Sequence, residues 1–248
     1  MRVLILGGTS DASQLAVKAS AISGLEVITS LAGRTRQPSK IDTPTRIGGF
    51  GGIEGLVNYL QNNAIALLID ATHPFAAQIS FNAATAAKLC NLPHIMLVRP
   101  EWKPVNGDRW IEVESLKVAA DLIPSLAKRV FLTIGRQELS TFTHLEDIWF
   151  LMRMIDSPEA DTPVPNGQLL LKRGPFSLAD ERKLLIKYQI QVIISKNSGG
   201  DATYAKIVAA RELGLPVVMV KRPVMPESDR VIDVEGALEW LYPLVSIV

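Results

Sequence analysis

Glycines that follow short apolar runs, cations set beside glycines, and one histidine in a polar loop are the residues of this chain whose type and spacing suit chemistry. The stretch VLILGGTSDA, residues 3–12, places four apolar residues ahead of Gly7, Gly8, Thr9, Ser10 and Asp11. A dinucleotide loop of the form G-x-G-x-x-G/A needs small residues so that the backbone can approach a pyrophosphate. Counted from Gly7, the first place is glycine and the sixth is Ala12, but Thr9 stands at the third. A helix opening here turns backbone N–H groups and a positive dipole end toward an anion, and the hydroxyls of Thr9 and Ser10 add donors. An ordinary strand-to-helix turn capped by Ser10 or Asp11 is the competing reading.

Downstream loops carry the same character. A dinucleotide site that holds NAD places an acid about 20 residues past the glycines, on the ribose hydroxyls. Here SLAGRT supplies Gly33, Arg34 and Thr35 instead. A guanidinium grips a 2′-phosphate that a carboxylate would repel, so the pattern favours NADP(H); a solvated basic loop with Arg36 and Lys40 is the alternative. In RIGGFGG, Gly49 and Gly51 permit close approach by a ligand, while Phe50 either covers a ring or packs into the core. Thr72 and His73 stand in DATHPFA, where an imidazole could relay a proton or bond a cofactor phosphate or amide, although a lone histidine is also a common structural residue. KNSGGDATYAK brings Lys196, Asn197, Ser198, Gly199, Gly200 and Lys206 into a second glycine-rich, hydroxyl-rich loop suited to carboxylates or phosphates, with Arg136 in TIGRQEL and Arg173 in LKRGPF as further cations. No paired-histidine, cysteine–histidine or paired-carboxylate pattern occurs, which argues against a metal hydrolase or a glycosidase. No metal site is expected.

Elements that position these loops read from the alternation of β-branched runs with Ala- and Leu-rich segments, the rhythm of strand, helix, strand with both sheet faces covered. An α/β chain of two parallel-sheet domains is expected, residues 1–103 and 104–248, divided in EWKPVNGD. Residues 69–100 align without a gap on residues 192–223: Ala86, Ala87 and Lys88 meet Ala209, Ala210 and Arg211, and Arg99-Pro100 meets Arg222-Pro223. Two domains of related build with a ligand cleft between them are the expectation, chance similarity of two α/β units being the alternative. The chain has 248 residues, 48% of them hydrophobic, enough for sizeable cores. Its 26 basic and 25 acidic residues give +1, so no global field draws it to nucleic acid or an anionic membrane. Cys90, the one cysteine, excludes an internal disulfide and reads as a buried helical thiol. No signal-peptide pattern or membrane-length apolar run is seen, and a cytoplasmic location is expected.

Taken in order, ILGGTSDA, SLAGRT, GGFGG, IDATHPFA, LVRPEW, FLTIGRQEL, KRGPF and KNSGG resemble the precorrin-6A reductase family, including its cobalt-precorrin-6A form. The resemblance implies two Rossmann-like domains that use NADPH to reduce one double bond of a tetrapyrrole, precorrin-6A, to precorrin-6B. It implies no obligatory protein nucleophile, with His73 and Lys196 the candidates for any catalytic role. A substrate rich in acetate and propionate groups would meet Arg136, Arg173, Lys196 and Lys206. The first block departs from the family, which commonly has Glu before the alanine where this chain has Asp11, and often Arg after it where this chain has Ser13. An NADP(H)-binding sensor without catalysis and a reductase of a small carbonyl compound are the alternatives; the latter lacks a Tyr-x-x-x-Lys pair at Tyr188 or Tyr204. A metal-free or cobalt-bearing substrate, and a monomer or small homo-oligomer, are all compatible with the chain.

Overall fold

The structure, a computed structural model, describes residues 1–33 and 43–245. The chain divides into two compact units, Met1–Pro100 with Pro223–Val248, and Glu101–Arg222. The first opens β1 (Arg2–Leu6), α1 (Ser10–Ser20), β2 (Glu26–Leu31), β3 (Thr45–Ile47), α2 (Gly52–Asn62), β4 (Leu67–Asp70), α3 (Ala77–Leu89) and β5 (His94–Leu97). The second contains β6 (Trp110–Val113), α4 (Leu116–Leu126), β7 (Arg129–Thr133), a 3-10 helix (Arg136–Phe142), β8 (Trp149–Met154), β9 (Gly167–Leu171), α5 (Leu178–Lys187), β10 (Val192–Lys196), α6 (Ala205–Glu212) and β11 (Val217–Val220). The chain then returns to the first unit with β12 (Asp229–Val231) and α7 (Val234–Val245).

Each unit is built on one six-stranded sheet, ordered β12-β5-β4-β1-β2-β3 and β6-β11-β10-β7-β8-β9, with every pairing parallel. Unbroken apolar strands follow from helices on both faces. In β1, Val3 and Ile5 pack with Leu15 of α1 and Leu241 of α7 on one side, while Leu4 and Leu6 pack with Leu56 of α2 and Ala83 of α3 on the other. Because every strand runs the same way, all the strand-to-helix loops of a unit emerge at one carboxyl edge. In each sheet the order reverses beside a single strand, β1 or β7, which is where open α/β sheets bind ligands.

The repeated segments occupy matching places. Residues 69–100 carry the end of β4, α3 and β5, residues 192–223 carry β10, α6 and β11, and the register of the sequence alignment lays β5 onto β11. The sixth strands differ in origin: after Arg99-Pro100 the chain supplies β6 to the second sheet beside β11, and after Arg222-Pro223 it supplies β12 to the first beside β5. The division expected at 103/104 therefore changes. Residues from Pro223 onward belong with the first unit, because β12 pairs with β5 and α7 packs with α1. Cys90 is the half-buried C-cap residue of α3 rather than a buried helical thiol.

Candidate functional site

At the carboxyl edge of the first sheet the structure gathers the β1–α1 loop, Gly33 after β2, the 48–52 turn, and Thr72 with His73 after β4. Arg34 and Thr35, expected beside them, lie outside the described residues. Gly7 is glycine by packing: a Cβ there would lie 3.3 Å from both the Leu31 and the Thr29 methyls. Gly8 is glycine by conformation, at φ +113, and a Cβ there would meet nothing within 4 Å. Thr9, not Ser10 or Asp11, caps α1. Its hydroxyl accepts from the Ala12 N–H at 3.1 Å and donates to the Ala71 carbonyl at 2.9 Å, so its proton is committed to the β4 loop and is not the phosphate donor the sequence suggested. With Ala12 and Ser13 bonded to Thr9, the first-turn N–H groups that the helix leaves over are those of Ser10 and Asp11. The Ser10 hydroxyl donates to the Asp11 carboxylate at 3.3 Å. Asp11 also pairs with Arg99 at 3.4 Å, which balances the acid's repulsion of any anion at this helix end.

Arg46, for which the sequence reading had no role, organises the 48–52 turn. Its guanidinium donates to the carbonyls of Gly48 at 2.7 Å and Gly49 at 2.9 Å and to the Ser30 hydroxyl at 3.1 Å. Phe50 covers the guanidinium face with its ring centroid 3.9 Å from Cζ and packs edge-on to Tyr59. Of the two readings of Phe50, packing is the one observed: it is half-buried against the α2–α3 core, and its ring stacks on the Arg46 guanidinium. Gly51 caps α2 in the left-handed region at φ 80. After β4, the buried Asp70 accepts from the Thr72 N–H at 3.0 Å and hydroxyl at 2.6 Å, fixing that side chain. The His73 Nδ1 accepts from the Phe75 N–H at 3.2 Å, which assigns the proton of the neutral ring to Nε2.

In the second unit, Arg136, Arg173 and the 196–200 loop all follow strands at its carboxyl edge. Lys196 donates to both carboxylate oxygens of Glu138, one at 2.6 Å, so its charge is matched within the chain. Arg136 donates to the Ser157 carbonyl at 3.2 Å. Asn197, expected to touch substrate, is 5% exposed, and its amide clamps the backbone of Trp102, accepting from its N–H at 2.9 Å and donating to its carbonyl at 3.0 Å. The Trp102 indole in turn donates to the Gly200 carbonyl at 2.8 Å, and Arg222 donates to the Asn197 carbonyl at 2.9 Å. Gly199 and Gly200 both take positive φ, 68 and 73. Ser198 donates its N–H to the Lys196 carbonyl at 2.8 Å, closing the loop on itself.

Lys206 overturns an expectation. It was read as a cation lining the substrate site, yet it is 3% exposed, its ammonium donating to the Thr203 carbonyl at 3.0 Å and standing 4.8 Å from the Trp102 ring centroid. Nearby, the buried Arg153 pairs with the buried Glu181 and stacks on Phe176 at 3.7 Å. Burial, and next the Arg153 charge, drive the Lys206 pKa down from 10.5 to about 7, with Glu181 pulling the other way. Lys206 is thus engaged within the chain, against the Trp102 ring whose indole bonds Gly200 of the 196–200 loop.

Over nearly its whole length the chain is similar to known proteins. A relative from Rhodococcus erythropolis called precorrin-6A reductase is 47% identical over 241 residues, which is 97% of each chain. One of the same name from Rhodobacter capsulatus is 43% identical over 97% of this chain and 95% of its own. A solved structure described as CobK precorrin-6A reductase superposes with a TM-score of 0.91 at 42% identity, covering 98% of this chain and 96% of that one. The family described as precorrin-6x reductase CbiJ/CobK matches residues 2–242, and the chain belongs to it.

Proposed function

We propose that the protein reduces precorrin-6A to precorrin-6B with NADPH. The observation that carries the reading is likeness over almost the full length, at 47% identity, to a relative named for that reaction. The carboxyl edge of the first sheet suits the cofactor: Gly8 and Gly49 leave open space where a side chain would stand, and the Ser10 and Asp11 N–H groups are left over at a helix N-terminus. When bound, NADPH would supply the hydride. Gly7, Gly8, Ser10 and Asp11 would hold its pyrophosphate, Gly33 would let the chain turn away at the end of β2, and Arg34 would take the 2′-phosphate. Gly49, Phe50 and Gly51 offer a flat backbone surface, and Thr72 and His73 close the far side, His73 holding a proton at Nε2. Catalysis by the chain is then chiefly orientation and electrostatics, with no side chain required as a nucleophile.

For the macrocycle, Arg136, Arg173 and Lys196 are the cations to meet acetate and propionate groups, Lys196 by exchanging Glu138 for a substrate carboxylate. Asn197, Gly199, Gly200 and Lys206 contribute the shape of the loop rather than contacts of their own. The names of the relatives favour the metal-free substrate. The test is anaerobic incubation of the purified protein with NADPH and either metal-free or cobalt-bearing precorrin-6A. Loss of NADPH absorbance together with a macrocycle gain of two hydrogens is expected with the metal-free compound; no NADPH oxidation with either compound refutes the proposal. If Arg34→Ala leaves the preference for NADPH over NADH unchanged, the 2′-phosphate assignment is wrong.

A further inference from the structure

The 48–52 turn presents a physical problem. Glycine loses more conformational freedom on folding than any other residue, and this turn has Gly48, Gly49, Gly51 and Gly52 around a single side chain, Phe50. Gly48, Gly51 and Gly52 are held at φ +121, +80 and +92, conformations that a bare chain visits but does not keep. A Cβ at any of the four would meet nothing within 4 Å, so no packing on that side holds the turn. Gly49 is the telling case: its φ is not positive and no neighbour crowds it, so nothing within the described chain demands a glycine there. A glycine required by neither conformation nor internal packing is one that a molecule outside the chain can approach.

The turn is held to the end of β2 by the Gly48 N–H, which donates to the Leu31 carbonyl at 2.8 Å, and by the side chain of Arg46. Arg46 lies on β3 in register with Ser30 of β2, and its guanidinium folds back along its own chain. One nitrogen, Nη1, bonds the Gly48 carbonyl and the Ser30 hydroxyl, and the other, Nη2, bonds the Gly49 carbonyl. Phe50 and Tyr59 close over it, with ring centroids 3.9 Å and 5.1 Å from Cζ. A planar fork that reaches two successive carbonyls and stacks on a ring is a geometry that arginine provides and lysine, a single point donor, does not.

We infer that Arg46 is a positioning residue of the cofactor site, the side-chain clamp that, beside the Gly48–Leu31 backbone bond, ties the 48–52 turn to the end of β2 and keeps its bare backbone face shaped for the dinucleotide. The inference rests on the NADPH reading above. It acts through Gly49 and Phe50, so its removal weakens cofactor binding and leaves the hydride step and the macrocycle site alone.

The experiment compares Arg46→Met, which keeps the apolar stem, and Arg46→Lys, which keeps the charge, with the wild type. Each is measured for NADPH affinity by fluorescence titration, for KM of NADPH and of precorrin-6A, for kcat and for Tm. Arg46→Met should raise the NADPH Kd and KM about tenfold, with kcat and the precorrin KM within about twofold, and Arg46→Lys should fall between. Unchanged NADPH constants in both variants, whatever their Tm, overturn the inference, as does a loss confined to kcat. If Arg46→Met does not fold, Ser30→Ala, which removes the hydroxyl that anchors Nη1 at the end of β2, is read in the same way. A wild type that binds no NADPH overturns the cofactor reading and this inference together, whereas a wild type that binds it beside unaffected variants overturns the inference alone.

Discussion

Lys206 offers a test in which the structure gives the sign of the effect and its order of magnitude. Its ammonium is buried beside Arg153 and Glu181, so the protonated site carries two positive charges against one negative, and the neutral amine leaves the pair balanced. Folding lowers its pKa from 10.5 to about 7. Between those values the unfolded chain binds a proton that the folded chain does not, so stability rises with pH across that window. At about 1.4 kcal/mol for each pH unit, the whole interval corresponds to about 5 kcal/mol, borne in full below pH 7 and relieved above pH 10.5. Lys206→Met fills the same space without a charge and removes this dependence. Between pH 7 and pH 9.5 the wild type should therefore gain about 3 kcal/mol of unfolding free energy relative to the variant. Urea melts followed by tryptophan fluorescence suit the purpose, since Trp102, Trp110 and Trp149 lie in the unit that holds Lys206 and only Trp240 lies in the other. If the stability difference between the two proteins is the same at both pH values, Lys206 is not the buried, depressed amine described above.

Gly49→Ala should leave Tm within about 1 °C, because the new methyl meets no atom and no strained φ, yet raise the NADPH KM severalfold; a fall in Tm with an unchanged KM would show that the glycine serves the fold. Asn197→Ala unclamps the Trp102 backbone and leaves its N–H and carbonyl without partners, at about 1–3 kcal/mol, and should raise the precorrin-6A KM while sparing that of NADPH; equal effects on both constants would contradict a role local to the 196–200 loop.

Much of this architecture was legible because parallel sheets write themselves into sequence as apolar runs of strand length separated by helical patterns. The repeat was legible for the same reason, since each copy is one strand, helix, strand unit with an Arg-Pro stop. The owner of β12 was not. DRV is a three-residue strand with two charged residues, and which of two similar sheets it joins is decided by edge pairing with β5, a contact with no local sequence signal. Among site residues, the glycines of the first unit were legible because turns and backbone approach constrain residue type. Asn197 and Lys206 were misread because a polar side chain beside glycines looks the same whether it faces a ligand or braces the loop. For Lys206 a signal did exist: Ala209 and Ala210 follow it at helical spacing, and all three face the core of α6. Arg46 went unassigned because two of its three hydrogen-bond acceptors are backbone carbonyls, which leave no mark in sequence.

The return of the chain to its first sheet also sets an order of events during synthesis. The second unit is one uninterrupted stretch whose first and last residues, Glu101 and Arg222, form an ion pair at 3.6 Å, so it can complete itself as soon as it leaves the ribosome. The first unit cannot: β5 keeps an open, unpaired edge until Asp229–Val231 has been made, after the whole of the second unit. The second unit therefore has all its strands before the first sheet has its sixth, against the usual N-to-C order of domain completion. The most vulnerable nascent species is thus a finished second unit tethered to a first sheet whose β5 edge stays available for mispairing.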